Sequence, residues 1–78
     1  MDNKKRYIEA FTQAFGVDEG IAQNLEYESI PEWDSVGHMV LISQLEGLFD
    51  ITMEMEDIID FSGFERGKEL LKKYGVVI

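Results

Sequence analysis

The sequence has no cysteine, a single histidine and a single proline, and these shortages exclude several kinds of protein. Without cysteine the chain forms no disulfide, and it has no thiol of its own for thioester chemistry. One histidine and no cysteine give no cluster with zinc-ligand spacing, so we expect no metal site. A chain of 78 residues without such cross-links predicts a single domain, residues 1–78, of modest stability.

Basic residues are missing from the middle of the chain. All seven Lys and Arg lie within residues 4–6 and 66–73, whereas fourteen acids lie from Tyr7 to Glu65, and the net charge is −9. Such a surface repels phosphate backbones and anionic lipids, so we expect neither nucleic acid nor a membrane as partner. It favours proteins with basic patches, although acidity also simply keeps a small protein in solution.

Long hydrophobic runs are also absent. The longest aliphatic run, residues 39–42, is far too short to cross a bilayer, and the first residues lack the apolar stretch of a secretion signal. We therefore expect a monomer in the cytoplasm.

The apolar spacing is helical almost throughout. It predicts a first helix over Asn3–Phe15, a second over Ser35–Phe49, and a short third over 55–61. The sequence SGFE predicts a capping box, with Ser62 as N-cap of a last helix that Gly75 ends. Residues 16–34 show no sustained period and predict a long loop with a brief helical turn near 18–24. The fold class is therefore all-α, a small four-helix bundle with three longer helices and a short third one.

The second helix has more apolar surface than a single core-facing stripe needs. Its stripe is Leu41, Leu45, Leu48 and Phe49, with Ile42 beside it. Val36, Met39 and Val40 point to other faces. Gly37 and Gly47 are costly inside a helix, so we expect something to approach the helix closely there.

Ser35 opens this helix directly after Asp34, and two interpretations are open. Either residue can serve as the N-cap, which is a purely structural role. A phosphate ester on Ser35 would also lie in the favourable field of a helix N-terminus. His38 is three residues on, but no G-x-S-x-G elbow or oxyanion hole accompanies the pair, so we expect no enzyme and place His38 on the partner-facing surface.

Two segments, DSVGHMVLISQLEGLFDI and EDIIDFSGFERGKELLKKYGV, resemble the acyl carrier protein family, and the likeness covers essentially the whole chain. The resemblance implies that a phosphopantetheinyl transferase attaches the 4'-phosphopantetheine arm of coenzyme A to Ser35, with Asp34 contacting that enzyme. The arm's thiol then carries acyl or aminoacyl groups as thioesters, which accounts for the missing cysteine.

The resemblance also implies a surface that meets acyl-loading and acyl-using enzymes through their basic patches. The second helix of this chain has fewer acids than that of the best-known fatty-acid members. This difference favours a specialised pathway and leaves the cargo open. The alternative is an unmodified acidic helical adaptor. The expected partner contacts are Asp34, Val36, His38, Met39, Val40, Glu54, Glu56 and Asp57.

Overall fold

The computed structural model describes residues 2–78 and is built almost entirely of helices and their connections. Within these residues there is no strand, only an isolated antiparallel bridge between Glu26 and Gly63. The all-α prediction is confirmed, and the brief turn predicted near 18–24 is a fifth, single-turn helix. The helices are α1 (Asn3–Phe15), α2 (Glu19–Ala22), α3 (Ser35–Phe49), α4 (Met55–Asp60) and α5 (Phe64–Lys72).

The two long helices begin and end where the sequence predicts. The Asp2 side chain caps α1 by accepting from the backbone N–H of Lys4 at 3.0 Å, and Gly16 ends it in the left-handed region at φ 67°. Asp50 ends α3 in the same conformation, at φ 53°. Asp is one of the few residues other than Gly that tolerate it.

The capping box predicted for the last helix is wrong. Gly63 is the N-cap of α5 and no side chain caps this end of the helix. The Ser62 carbonyl accepts the backbone N–H of Tyr27 at 2.8 Å, and the N–H of Phe64 donates to the Leu25 carbonyl at 2.9 Å. The backbone before α5 is therefore paired with the long loop, which replaces the expected side-chain cap.

An aromatic cluster forms the centre of the core. α1 packs along α3, and the rings of Tyr7 and Phe11 lie 5.0 Å apart, centroid to centroid, in an edge-on contact. The buried Tyr7 hydroxyl donates to the Phe64 carbonyl at 2.6 Å, and burial raises the pKa of that hydroxyl. Fully buried side chains of this size each contribute roughly 1.5–3 kcal/mol. The largest of them are Trp33, Tyr7, Phe11, Phe61, Phe64, Leu41, Ile42, Leu45 and Leu71.

The predicted stripe of α3 is confirmed in its first half. Leu41, Ile42 and Leu45 are fully buried, whereas Leu48 and Phe49 are only partly buried at the edge of the core. Arg6 covers this edge, since its guanidinium lies over the Phe49 ring at 5.3 Å from the centroid. No helix within residues 2–78 combines the length and the apolar character required to cross a membrane.

The long loop is pressed against the start of α3. A Cβ on Gly37 would collide with the Glu32 carbonyl oxygen and would lie 3.2 Å from a ring carbon of Phe15. The close approach predicted at Gly37 is therefore confirmed. The one predicted at Gly47 is wrong, because a Cβ there meets no described atom within 4 Å.

Candidate functional site

Ser35 is the first residue of α3 and is exposed to solvent. The N-cap is its neighbour, because the Asp34 carboxylate accepts the backbone N–H of Gly37 at 2.8 Å. Within residues 2–78 no hydrogen bond engages the Ser35 hydroxyl. Of the two interpretations of this site, capping belongs to Asp34, and the Ser35 hydroxyl is left accessible for covalent attachment.

The first turn of α3 offers a partial site for an anion. The N–H groups of Ser35 and Val36 have no partner inside the helix, and the positive end of the helix dipole lies beside them. The Asp34 carboxylate lies in the same turn and repels a second negative charge.

His38 does not lie on the surface, so its predicted role as a partner contact is wrong. The side chain is buried between Trp33 and α4. The indole N–H of Trp33 donates to Nδ1 of His38 at 2.9 Å, and Nε2 lies 2.7 Å from the Ile58 carbonyl oxygen. An indole only donates and a carbonyl only accepts, so Nε2 bears the proton of a neutral ring. Both ring nitrogens are thus engaged away from the Ser35 hydroxyl.

An apolar cleft of about 400 Å³ opens beside Ser35. It lies between α3 and α4 and is closed on one side by Tyr27 of the long loop. Its size is that of a small-molecule pocket, and most of its lining is apolar. The lining residues are Tyr27, Ser35, His38, Met39, Met55, Ile58, Ile59, Phe61 and Ser62.

The rim of the cleft continues into exposed apolar side chains, which we call the α3–α4 apolar face. Val36 is 73% exposed and Ile59 75% exposed. An exposed apolar patch of this kind generally marks a binding surface. The face consists of Val36, Met39, Val40, Met55 and Ile59.

Two members of this face, Met55 and Ile59, were not predicted from the sequence. The sequence predicted only a short helix over 55–61, without an exposed apolar side. Met55 and Ile59 are four residues apart and therefore share one side of α4. That spacing indicates a second apolar stripe, on the outer side of the helix. Of Ile58, Ile59 and Phe61, only Phe61 is fully buried.

The predicted acidic contacts divide into two groups. Glu54 and Glu56 are exposed beside the α3–α4 apolar face. Asp57 is buried, so its predicted role as a partner contact is wrong. It accepts hydrogen bonds from the Lys73 ammonium at 2.6 Å and from the Tyr74 hydroxyl, and these two bonds lower the pKa of the Asp57 carboxyl.

Comparison of the chain with family models, curated proteins and solved structures found no match. Within residues 2–78, no group of three or more acidic or histidine side chains is arranged to hold a metal ion. The chemistry that the site offers is an accessible hydroxyl at a helix start, an apolar cleft beside it, and an apolar face bordered by acids.

Proposed function

We propose that the chain is a freestanding carrier protein that bears a 4'-phosphopantetheine arm on Ser35. The arm carries acyl or aminoacyl groups as thioesters between biosynthetic enzymes. In this proposal α1, α3, α4 and α5 form the four-helix bundle of a carrier protein, and α2 is a turn within its long loop. The observation that carries the proposal is the exposed Ser35 hydroxyl, uncommitted to capping and directly beside an apolar cleft.

Attachment of the arm is a phosphoryl transfer onto Ser35. The hydroxyl oxygen forms a new ester bond to the phosphorus that bears pantetheine, and the hydroxyl proton is lost. The bond from that phosphorus to the adenosine bisphosphate part of coenzyme A breaks, and this part leaves with the electron pair. The exposed position of Ser35 gives a transferase the access that an in-line attack requires.

In this proposal the transferase and its magnesium activate the Ser35 hydroxyl. Only one oxygen of the Asp34 carboxylate has a partner within residues 2–78, namely the Gly37 N–H. The other oxygen is open to a docked enzyme, which supports Asp34 as a transferase contact.

The α3–α4 apolar face is the proposed docking surface for partner enzymes. Aliphatic and thioether side chains supply an adaptable apolar contact that suits several partners in turn. Glu54 and Glu56 border the face and favour partners with basic rims, through encounters that weaken as salt rises. His38 and Asp57 are not part of this surface because their polar atoms are already paired inside the protein.

Intact-protein mass spectrometry tests the proposal. The purified chain is incubated with coenzyme A, magnesium and a broad-specificity phosphopantetheinyl transferase. We expect the wild type to gain the mass of one arm and Ser35→Ala to gain none. Ser43→Ala, which removes another exposed hydroxyl of α3, is the matched control and should be modified like the wild type. An unmodified but folded wild type, or an arm on Ser35→Ala, contradicts the proposal.

A helical adaptor is the second candidate, and one observation favours it. The α3–α4 apolar face is exposed in the unmodified chain, so it can bind a partner without any arm. If the chain is an adaptor, Ser35→Ala should replace the wild-type protein in its native cell without loss of function, whereas Met39→Glu should not. A carrier predicts that both variants fail.

A further inference from the structure

The cleft beside Ser35 ends at a well-defined floor. His38 and Phe61 line the inner end of the cleft, and both are buried. Trp33 lies directly behind them, fully buried, with its ring stacked on the imidazole at 6.1 Å between centroids and 18° between planes. A group that enters from Ser35 therefore meets two flat rings before it reaches the aliphatic core.

Hydrogen bonds hold this floor in place from both sides. His38 receives the Trp33 indole N–H on one nitrogen and approaches the Ile58 carbonyl with the other. The bridge thus joins the loop, α3 and α4 through one side chain. Moving the imidazole aside would leave the buried indole N–H of Trp33 unpaired, which is costly in an apolar environment.

The space behind the floor is also filled. Trp33 stacks on Phe15 at 5.1 Å and meets Phe11 edge-on at 5.6 Å, between ring centroids. Phe61 lies 6.3 Å from the same Phe11 ring. A chain that passed the floor would have to displace an interlocked aromatic cluster, and close-packed cores resist such insertion.

We infer that the Trp33–His38–Ile58 bridge makes His38 a specificity-determining residue, which sets how far an acyl group can enter the cleft. Short groups bury their apolar carbons against Met39, Ile58 and Ile59, and longer groups project into solvent. The inference rests on the proposed function only for the identity of the group, since the depth of the cleft is a property of the fold. His38 acts here by position, without contact to any reacting atom.

A thiol placed at residue 35 tests the depth of the cleft without any transferase. The chain has no cysteine, so Ser35→Cys provides a single attachment point at the edge of the cleft. Butyl, octyl and dodecyl methanethiosulfonates couple linear alkyl groups to it as mixed disulfides. We expect the butyl group to raise the melting temperature above that of a methyl adduct, and the octyl and dodecyl groups to add nothing further.

The same series on the double variant Ser35→Cys/His38→Ala tests the role of the bridge. We expect its melting temperature to keep rising to a longer alkyl group than in Ser35→Cys, because the space of the imidazole is added to the cleft while Phe61 and Trp33 still close it. Ser35→Cys/Leu70→Ala is the matched control: it loses a buried side chain of α5 outside the cleft and should keep the limit at short groups. Gln13→Cys, at an exposed position of α1 outside the cleft, should show no rise with butyl.

Several results would overturn the inference. A melting temperature that rises steadily to dodecyl in Ser35→Cys would mean that the floor yields, and no rise with butyl would mean that the cleft binds no alkyl group. An unchanged limit without His38 would remove its role; if that variant does not fold, His38→Val, which also removes both ring nitrogens but leaves a smaller void, replaces it. Failure of the transferase experiment would leave these results standing, so the two proposals fail separately.

Discussion

The two faces of α3 contain similar apolar residues and have opposite fates. Leu41, Ile42 and Leu45 are buried completely on the inner face, whereas Val36 and Val40 on the outer face are 73% and 43% exposed. What separates them is the neighbour: α1 packs along the inner face, and no helix of residues 2–78 covers the outer one. Apolar character alone therefore does not distinguish a core stripe from a binding surface.

The largest expected effect comes from truncating the inner face. Leu45→Ala removes a fully buried side chain, and we expect it to lower the free energy of unfolding by about 2–5 kcal/mol. Val40→Ala on the outer face is the matched variant and should change it by less than about 0.5 kcal/mol. Chemical denaturation followed by circular dichroism measures both.

Equal losses of unfolding free energy in the two variants would show that the outer face is also part of the core. A retained stability in Leu45→Ala would show that α1 does not pack on this stripe.

The two glycines of α3 give a second pair. Gly37→Ala places a methyl group against the Glu32 carbonyl and should cost about 1–3 kcal/mol, since the loop must move. Gly47→Ala adds a methyl group where nothing lies within 4 Å, and we expect a gain of about 0.5–1 kcal/mol from better helix propensity. Urea titrations of the two variants beside the wild type measure these changes. A stabilised Gly37→Ala would mean that the loop does not press on α3.

Local patterns in the sequence predicted the helices well. The bounds of α1 and α3 follow from apolar spacing and from Gly16 and Asp34, which act within a few residues of themselves. The exposed Ser35 at a helix start was also predicted, because a helix boundary is a local property. The exact arrangement of the helices was not, since it depends on contacts between distant segments.

Three of the errors, those at His38, Asp57 and Ser62, share one physical cause. The partners of His38 and Asp57 include Ile58 and Lys73, which are twenty and sixteen residues away along the chain. Ser62 failed as a cap because its backbone pairs with Tyr27, which is even further away along the chain. A polar residue in an isolated helix pattern looks exposed, and only the folded chain shows whether a distant donor or acceptor has reached it.

Helix α4 repeats the contrast between two faces on a smaller scale. Its outer side contributes Met55 and Ile59 to the apolar face, and its other side is anchored to the end of α5 through Asp57, Lys73 and Tyr74. This anchor depends on an ionised carboxylate. Losing it should loosen α4 and the cleft beside it.

Acid should release this anchor. The pKa of Asp57 is lowered from its ordinary value of 3.8 by hydrogen bonds from Lys73 and then Tyr74, with a smaller contribution from the charge of Arg66. A carboxyl whose folded pKa lies below its unfolded pKa stabilises the fold above the unfolded value, and this contribution disappears as the pH falls through the folded one. We expect Asp57→Asn to flatten the loss of stability below about pH 4.

Melting temperatures measured between neutral pH and pH 2 test this, with Glu56→Gln as the control at an exposed acid of the same helix. If Asp57→Asn and the wild type lose stability in parallel, or if Glu56→Gln alone flattens the loss at low pH, protonation of Asp57 is not what destabilises the fold in acid.

The smallest effect is expected at the site itself. Because the Asp34 side chain caps α3, Asp34→Ala should cost about 1 kcal/mol of stability, whereas Ser35→Ala should change it by less than about 0.5 kcal/mol. Parallel guanidinium titrations of both variants compare the two neighbours directly. A large loss in Ser35→Ala with none in Asp34→Ala would reassign the cap to the serine and leave it a structural role. The expected result instead separates the two neighbours. The Asp34 carboxylate stabilises the start of α3, and the Ser35 hydroxyl contributes little to stability.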